Sequence, residues 1–135
     1  MILVDTSVLI DYLKGKVNKK TELFATVLKR KLPYGIAAYT FQEILQGARD
    51  EREYNKLKSY LSTQRIYFLP EEAGVYEEAA RLYYTLRRRG ITPRSTIDVL
   101  IAIIAIKNDL FLLHNDRDFD ELAFKLRELK TLERL

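Results

Sequence analysis

Apolar residues along this chain fall into two alternating rhythms, short continuous runs and helical stripes. Residues 2–4, Ile-Leu-Val, form a β-prone apolar run that reads as a short strand buried on both faces. Val8, Leu9, Tyr12 and Leu13 then recur at helical spacing, and Gly15 closes that helix. A second helix spans residues 19–31 with Leu23, Val27 and Leu28 inward, and Pro33 stops it. Residues 34–38 read as a strand, followed by helices over 40–48 and 51–63, the latter striped by Tyr54, Leu57 and Leu61. A strand over 65–69 ends at Pro70. A long helix covers 71–89, with Gly90 at its C-terminal cap and Pro93 just beyond. An apolar helix over 96–108, a strand over 110–113, a short helix near Phe119 and a last strand over 131–135 complete the pattern.

Strands alternating with helices predict one α/β domain over residues 1–135 with a mostly parallel sheet. Residues 99–106 are apolar on every side, which suits a helix sandwiched in the core or in a subunit interface. The longest apolar run is far short of the ~18 residues a membrane span needs, and the N-terminus lacks the pattern of a signal peptide. A soluble cytoplasmic protein is the expectation.

Composition removes whole classes of chemistry. The chain has no Cys, which excludes a disulfide framework, a thiolate zinc site and a Cys nucleophile. Its one His, His114, excludes a two-histidine ribonuclease mechanism and His-based zinc sites. His114 ends an apolar run and reads as a packing residue. The five glycines are scattered, so there is neither a Walker A loop nor a dinucleotide fingerprint. Carboxylates remain as the chemistry-bearing groups.

The net charge of +4 conceals a segregated distribution. Residues 14–34 carry Lys14, Lys16, Lys19, Lys20, Lys29, Arg30 and Lys31 against Glu22 alone. Residues 81–97 carry Arg81, Arg87, Arg88, Arg89 and Arg94 and no acid. The remainder is acidic. Two basic blocks beside an acidic remainder suit a polyanion held near a carboxylate site, and Tyr83 and Tyr84 among the arginines add stacking surfaces. Arg87, Arg88, Arg89 and Arg94 are therefore candidate nucleic-acid-binding residues.

Four acids occupy distinctive positions. Asp5 ends the first strand, Glu43 follows the 34–38 strand, Asp98 opens the apolar helix and Asp116 follows the 110–113 strand. In an open parallel sheet the carboxyl ends of the strands share one edge, where ligand sites form. Each acid also has a plainer role. Asp5 suits an N-cap, Thr40-Phe41-Gln42-Glu43 and Ser95-Thr96-Ile97-Asp98 have capping-box spacing, and Asp116 or Asp118 suits a cap near Phe119. The two roles are compatible, because a first-turn acid can cap its helix and still face a ligand. Four acids on one edge repel by several kcal/mol unless a cation neutralises them. Mg²⁺ or Mn²⁺, which prefer oxygen ligands, would do so, and would support phosphodiester hydrolysis.

The stretch Ile2-Leu3-Val4-Asp5-Thr6-Ser7-Val8-Leu9-Ile10-Asp11 resembles the opening of PIN-domain ribonucleases, particularly VapC-type toxins of toxin–antitoxin pairs. The likeness continues through Glu43-Ile44-Leu45-Gln46-Gly47-Ala48, Asp98-Val99-Leu100-Ile101-Ala102 and Asn115-Asp116-Arg117-Asp118-Phe119, in family order over nearly the whole chain. The resemblance implies a three-layer α/β/α domain and a Mg²⁺- or Mn²⁺-dependent endoribonuclease. It implies Asp5 and Asp98 as principal metal ligands, with Glu43 and Asp116 completing the site and Asp118 as the alternative to Asp116. Thr6 or Ser7 would orient Asp5 or a water. It also implies a homodimer and an antitoxin that inserts into a groove near the site. The competing reading is an inactive PIN-type module that binds RNA or serves as a scaffold. An aspartyl phosphatase fits less well, since the second Asp it needs two residues after Asp5 is Ser7.

Overall fold

In the computed structural model, which describes residues 1–135, five short strands form one parallel sheet in the order β3-β2-β1-β4-β5. The strands are β1 (Ile2–Val4), β2 (Tyr34–Ala37), β3 (Arg65–Tyr67), β4 (Phe111–Leu113) and β5 (Lys130–Thr131). Between β1 and β2 lie α1 (Thr6–Leu13) and α2 (Lys19–Lys29), and between β2 and β3 lie α3 (Ala38–Gln46) and α4 (Glu51–Leu61). Then come α5 (Val75–Arg88) and α6 (Thr96–Lys107) before β4, and α7 (Arg117–Lys125) before β5.

Successive strand residues face opposite sides, so a sheet of apolar strands needs cover on both. Ile2 and Val4 join Val8, Leu9, Phe24, Val27, Ile44, Leu45 and Leu61 in the core beneath α1 to α4. Leu3 lies on the other side with Leu86, Ile101, Ile104, Phe119 and Leu122 from α5, α6 and α7. The expected three-layer α/β/α arrangement is what the chain adopts. Residues 99–105 of α6 are all buried within this monomer, which places that helix in the core. No helix is long and apolar enough to cross a membrane.

Several boundaries differ from the sequence reading, three of them for reasons visible in the backbone. The helix expected from residue 71 starts at Val75, because Gly74 adopts a left-handed φ of 92° immediately before it. The C-cap is Arg89 rather than the expected Gly90, which follows it with a left-handed φ of 82°. The last strand is Lys130–Thr131 rather than 131–135, since only this pair finds partners on β4, and Leu132 N–H closes the ladder on Leu112 O. The helix expected from Thr40 begins at Ala38, directly after β2.

At Gly35 a side chain would collide with the neighbouring strand. A Cβ there would lie 2.6 Å from Tyr67 Cε2 and 2.7 Å from Arg65 O. Gly35→Ala is expected to destabilise the domain by about 1–3 kcal/mol in urea denaturation, the usual scale for overpacking. An unchanged midpoint would show that β2 and β3 can separate freely.

Candidate metal and nuclease site

Strand order reverses direction between β1 and β4, the place where open parallel sheets form binding crevices. β1 ends at Val4 opposite Leu113 of β4, and Asp5 N–H continues the ladder to Leu113 O at 2.9 Å. Asp5 and the loop after β4 therefore leave the sheet side by side.

Asp5 caps α1: its Oδ2 accepts from Ser7 N–H at 3.1 Å and from Ser7 Oγ–H at 2.6 Å. Ser7 Oγ in turn accepts from Asn115 N–H at 2.9 Å. One serine hydroxyl thus fastens the first acid to the loop that carries Asp116. Asp5 is only 5% exposed, and burial raises its pKa despite these bonds. Thr6 turns towards α3, where its Oγ1 is 3.0 Å from Thr40 Oγ1 and 3.1 Å from Glu43 Oε1. A hydroxyl carries one proton, so Thr6 donates to the carboxylate while fully buried Thr40 donates to Thr6.

This geometry corrects the capping-box expectation for Thr40 and Glu43. The cap of α3 is Ala37, without a side-chain bond, and Glu43 lies in the second turn. Half-buried Glu43 has a raised pKa, first from burial, with Asp5 adding to the rise. Its role is set by facing the other acids rather than by capping.

The second predicted cap is present in part. Ser95 Oγ accepts from Ile97 N–H at 3.1 Å and starts α6, which leaves Asp98 free in the first turn. Burial drives the Asp98 pKa up to about 7, and Asp116, Asp5, Asp118 and Glu43 push in the same direction. Asp116 caps α7 through Asp118 N–H at 2.9 Å. Single oxygens of Asp98, Asp116 and Asp118 lie within 4.8 Å of one another. All the acids named from the sequence meet at one edge, with Asp98 at the centre of their mutual repulsion.

The basic candidates divide. Arg87, Arg88 and Arg89 are exposed at the end of α5, and Arg87 borders a groove of about 340 Å³ shared with Tyr83, Tyr84 and Thr96. Arg94, in contrast, folds onto the acids, with Nη2 donating to Asp116 Oδ1 at 2.8 Å and Nε to Asp118 Oδ2 at 3.1 Å. The sequence reading missed this pairing, as well as the part played by Thr40. Neither has a local signal, since the residues of each pair are far apart in the chain.

His114, Asp120 and Glu133 form another group within ligating reach. His114 is 1% exposed, packs against Phe119, and its Nδ1 accepts from Asp116 N–H at 3.2 Å. Accepting at Nδ1 leaves the neutral ring's proton on Nε2, which therefore has no lone pair for a cation. His114 is a packing residue, as expected, and it also holds the backbone of Asp116.

Relatives agree with this architecture. The PIN domain family model matches residues 2–125. A protein of Mycobacterium bovis named VapC ribonuclease is 34% identical over 133 residues, covering 91% of this chain and 92% of the relative. Ribonuclease VapC11 of Mycobacterium tuberculosis matches with the same identity and coverage. Among solved structures, VapBC2 of Rickettsia felis bound to a promoter DNA fragment superposes with a TM-score of 0.72 at 20% identity, covering 98% of both chains. VapBC-1 of nontypeable Haemophilus influenzae gives 0.70 at 21% identity, again over 98% of both. With the family model spanning nearly the whole length and the VapC relatives above 30% identity, this chain belongs to the PIN-domain family, in its VapC group.

Proposed function

We propose that the protein is a Mg²⁺- or Mn²⁺-dependent endoribonuclease and the toxin of a toxin–antitoxin pair. The observation that carries the reading is the convergence of Asp98, Asp116 and Asp118, whose oxygens lie within 4.8 Å of one another, at the edge where Asp5 leaves β1; burial and the neighbouring carboxylates raise the Asp98 pKa to about 7. An all-oxygen donor set of this kind fits a hard divalent cation. The curated relatives named as VapC ribonucleases support the choice of RNA as substrate.

Asp5, Asp98 and Asp116 would hold the cation, with Glu43 completing the acidic edge. Asp118 is the alternative to Asp116. When bound, the cation supplies a more acidic water and offsets charge on the phosphoryl group. The protein's own part is to fix the acids in place. Ser7 fixes the rotamer of Asp5, and Thr6 fixes that of Glu43. The Asp116 backbone is held by His114. Arg87, Arg88 and Arg89 would steer the flanking phosphates towards the groove beside Thr96.

The antitoxin reading draws on a separate feature. A groove of about 1310 Å³ runs past Ile10, Leu13, Tyr34, Ile44, Leu57 and Tyr60 and reaches Glu43. A segment seated there would touch both an apolar floor and one of the site acids. The solved relatives described as VapBC assemblies support such a partner. A homodimer in the cytoplasm completes the proposal, with exposed Tyr76 and Tyr84 on α5 as apolar surface available to a second copy.

Purified protein freed of any antitoxin should cleave structured RNA with Mg²⁺ or Mn²⁺ and not with chelator. Asp98→Asn should lower the rate at least about 100-fold, a loss near 3 kcal/mol of transition-state stabilisation. Metal-dependent RNA binding without cleavage by wild type would favour the inactive binding module.

The raised pKa values also predict a stability slope. For Asp98, Asp5 and Glu43 the folded, cation-free chain holds protons that the unfolded chain releases near pH 4. Asp98 therefore makes stability fall as pH rises from about 4 to 7, and Asp5 and Glu43 act in the same direction. His114, lowered by burial, acts in the opposite sense, so the difference between wild type and Asp98→Asn isolates the carboxylate. Thermal denaturation without metal should show Asp98→Asn more stable than wild type at pH 7.5, with the gap closing towards pH 5. An equal gap at both values would mean that Asp98 is not repelled.

Changing Arg87, Arg88 and Arg89 together to Ala should weaken RNA binding and reduce the slope of log K against log salt by up to about 2. An unchanged slope would make this block a solvated face.

A further inference from the structure

Arg94 sits in the connection between α5 and α6, and its surroundings divide cleanly between backbone and side chain. The backbone is anchored: Arg94 N–H donates to Asp118 Oδ2 at 3.1 Å, and Tyr83 Oη–H donates to the carbonyl of adjacent Pro93 at 3.3 Å. The guanidinium, though 73% exposed, spans two acids, with 2.8 Å to Asp116 and 3.1 Å to Asp118. Those two acids are two of the three whose oxygens lie within 4.8 Å of one another, the third being Asp98.

We propose that Arg94 is an internal counter-cation of the acid cluster, holding Asp116 and Asp118 in the cation-free protein and yielding them as a divalent cation enters. The inference rests on the metal reading above and adds a residue that sets how tightly the metal is held. The guanidinium is a fixed fork suited to bridging two carboxylates, and its positive charge partly replaces that of a metal. It cannot fully replace it, because it reaches only two of the three clustered acids and leaves Asp98 without a cation partner. Exposed ion pairs contribute little to stability, so the side chain can leave cheaply while the anchored backbone stays. Metal and guanidinium therefore draw on the same negative charge, and removing the guanidinium should favour the metal.

Calorimetric titration with Mn²⁺ at pH 7.5 tests this on wild type, Arg94→Gln, Arg94→Lys and Asp98→Asn. Arg94→Gln should bind Mn²⁺ roughly two- to fivefold more tightly than wild type, the range an exposed pair can contribute. Arg94→Lys, which keeps the charge, should stay near wild type. Without metal, Arg94→Gln should also melt below wild type and gain more from added Mn²⁺. Affinity in Arg94→Gln that is equal to or weaker than wild type would overturn the proposal, whatever happens to melting, because a purely structural tether lowers stability without tightening metal binding. Equal affinity in wild type and Asp98→Asn would instead overturn the metal reading on which the proposal rests.

Discussion

The pairing of β1 with β4 brings Val4 opposite Leu113 and sends the next residues of both strands out of the same edge of the sheet. Asp5 and Asp116 meet because of that register. A slip of one residue would exchange the faces of Ile2, Leu3 and Val4 and break both cores at once, so burial on two sides protects the placement of the acids. The rest of the site is built around this pair. The first turn of α6 delivers Asp98, the second turn of α3 delivers Glu43, and the first turn of α7 delivers Asp118.

Gathering these carboxylates opposes folding, and the structure manages the opposition locally. Ser7 gives Asp5 two hydrogen bonds, Thr6 gives Glu43 one, and Arg94 neutralises part of the Asp116–Asp118 pair. For Asp118 burial works upwards, but the Arg94 bonds outweigh it and hold the pKa below the ordinary carboxylate value. Asp98 has no such relief. A domain that concentrates unrelieved carboxylates at one edge gives up some stability there, a cost that the proposed cation would offset.

Much of this was legible in the sequence. Apolar strands ending in Asp5 and followed by a helix made both the parallel sheet and the cap visible, and Ser95 marked the start of α6 correctly. The Thr40–Glu43 spacing misled, because a capping box is a local signature while the Thr40 hydroxyl is engaged by Thr6, 34 positions away. The same limit applies to Arg94. Its block of arginines reads as a polyanion surface, yet the fold turns this one side chain onto acids 22 and 24 positions along the chain. Periodicity reports which face is buried. It carries no information about which distant polar group a loop side chain will find.

The central claim is that the acids at the β1–β4 edge hold a divalent cation. Its most direct test is an anomalous difference map from crystals of this protein soaked in Mn²⁺. The account predicts a peak among the carboxylates of Asp5, Asp98 and Asp116, with the Arg94 guanidinium withdrawn from Asp116. A map with no peak at that edge at saturating Mn²⁺, or with the peak elsewhere and Arg94 still bridging Asp116 and Asp118, would contradict it.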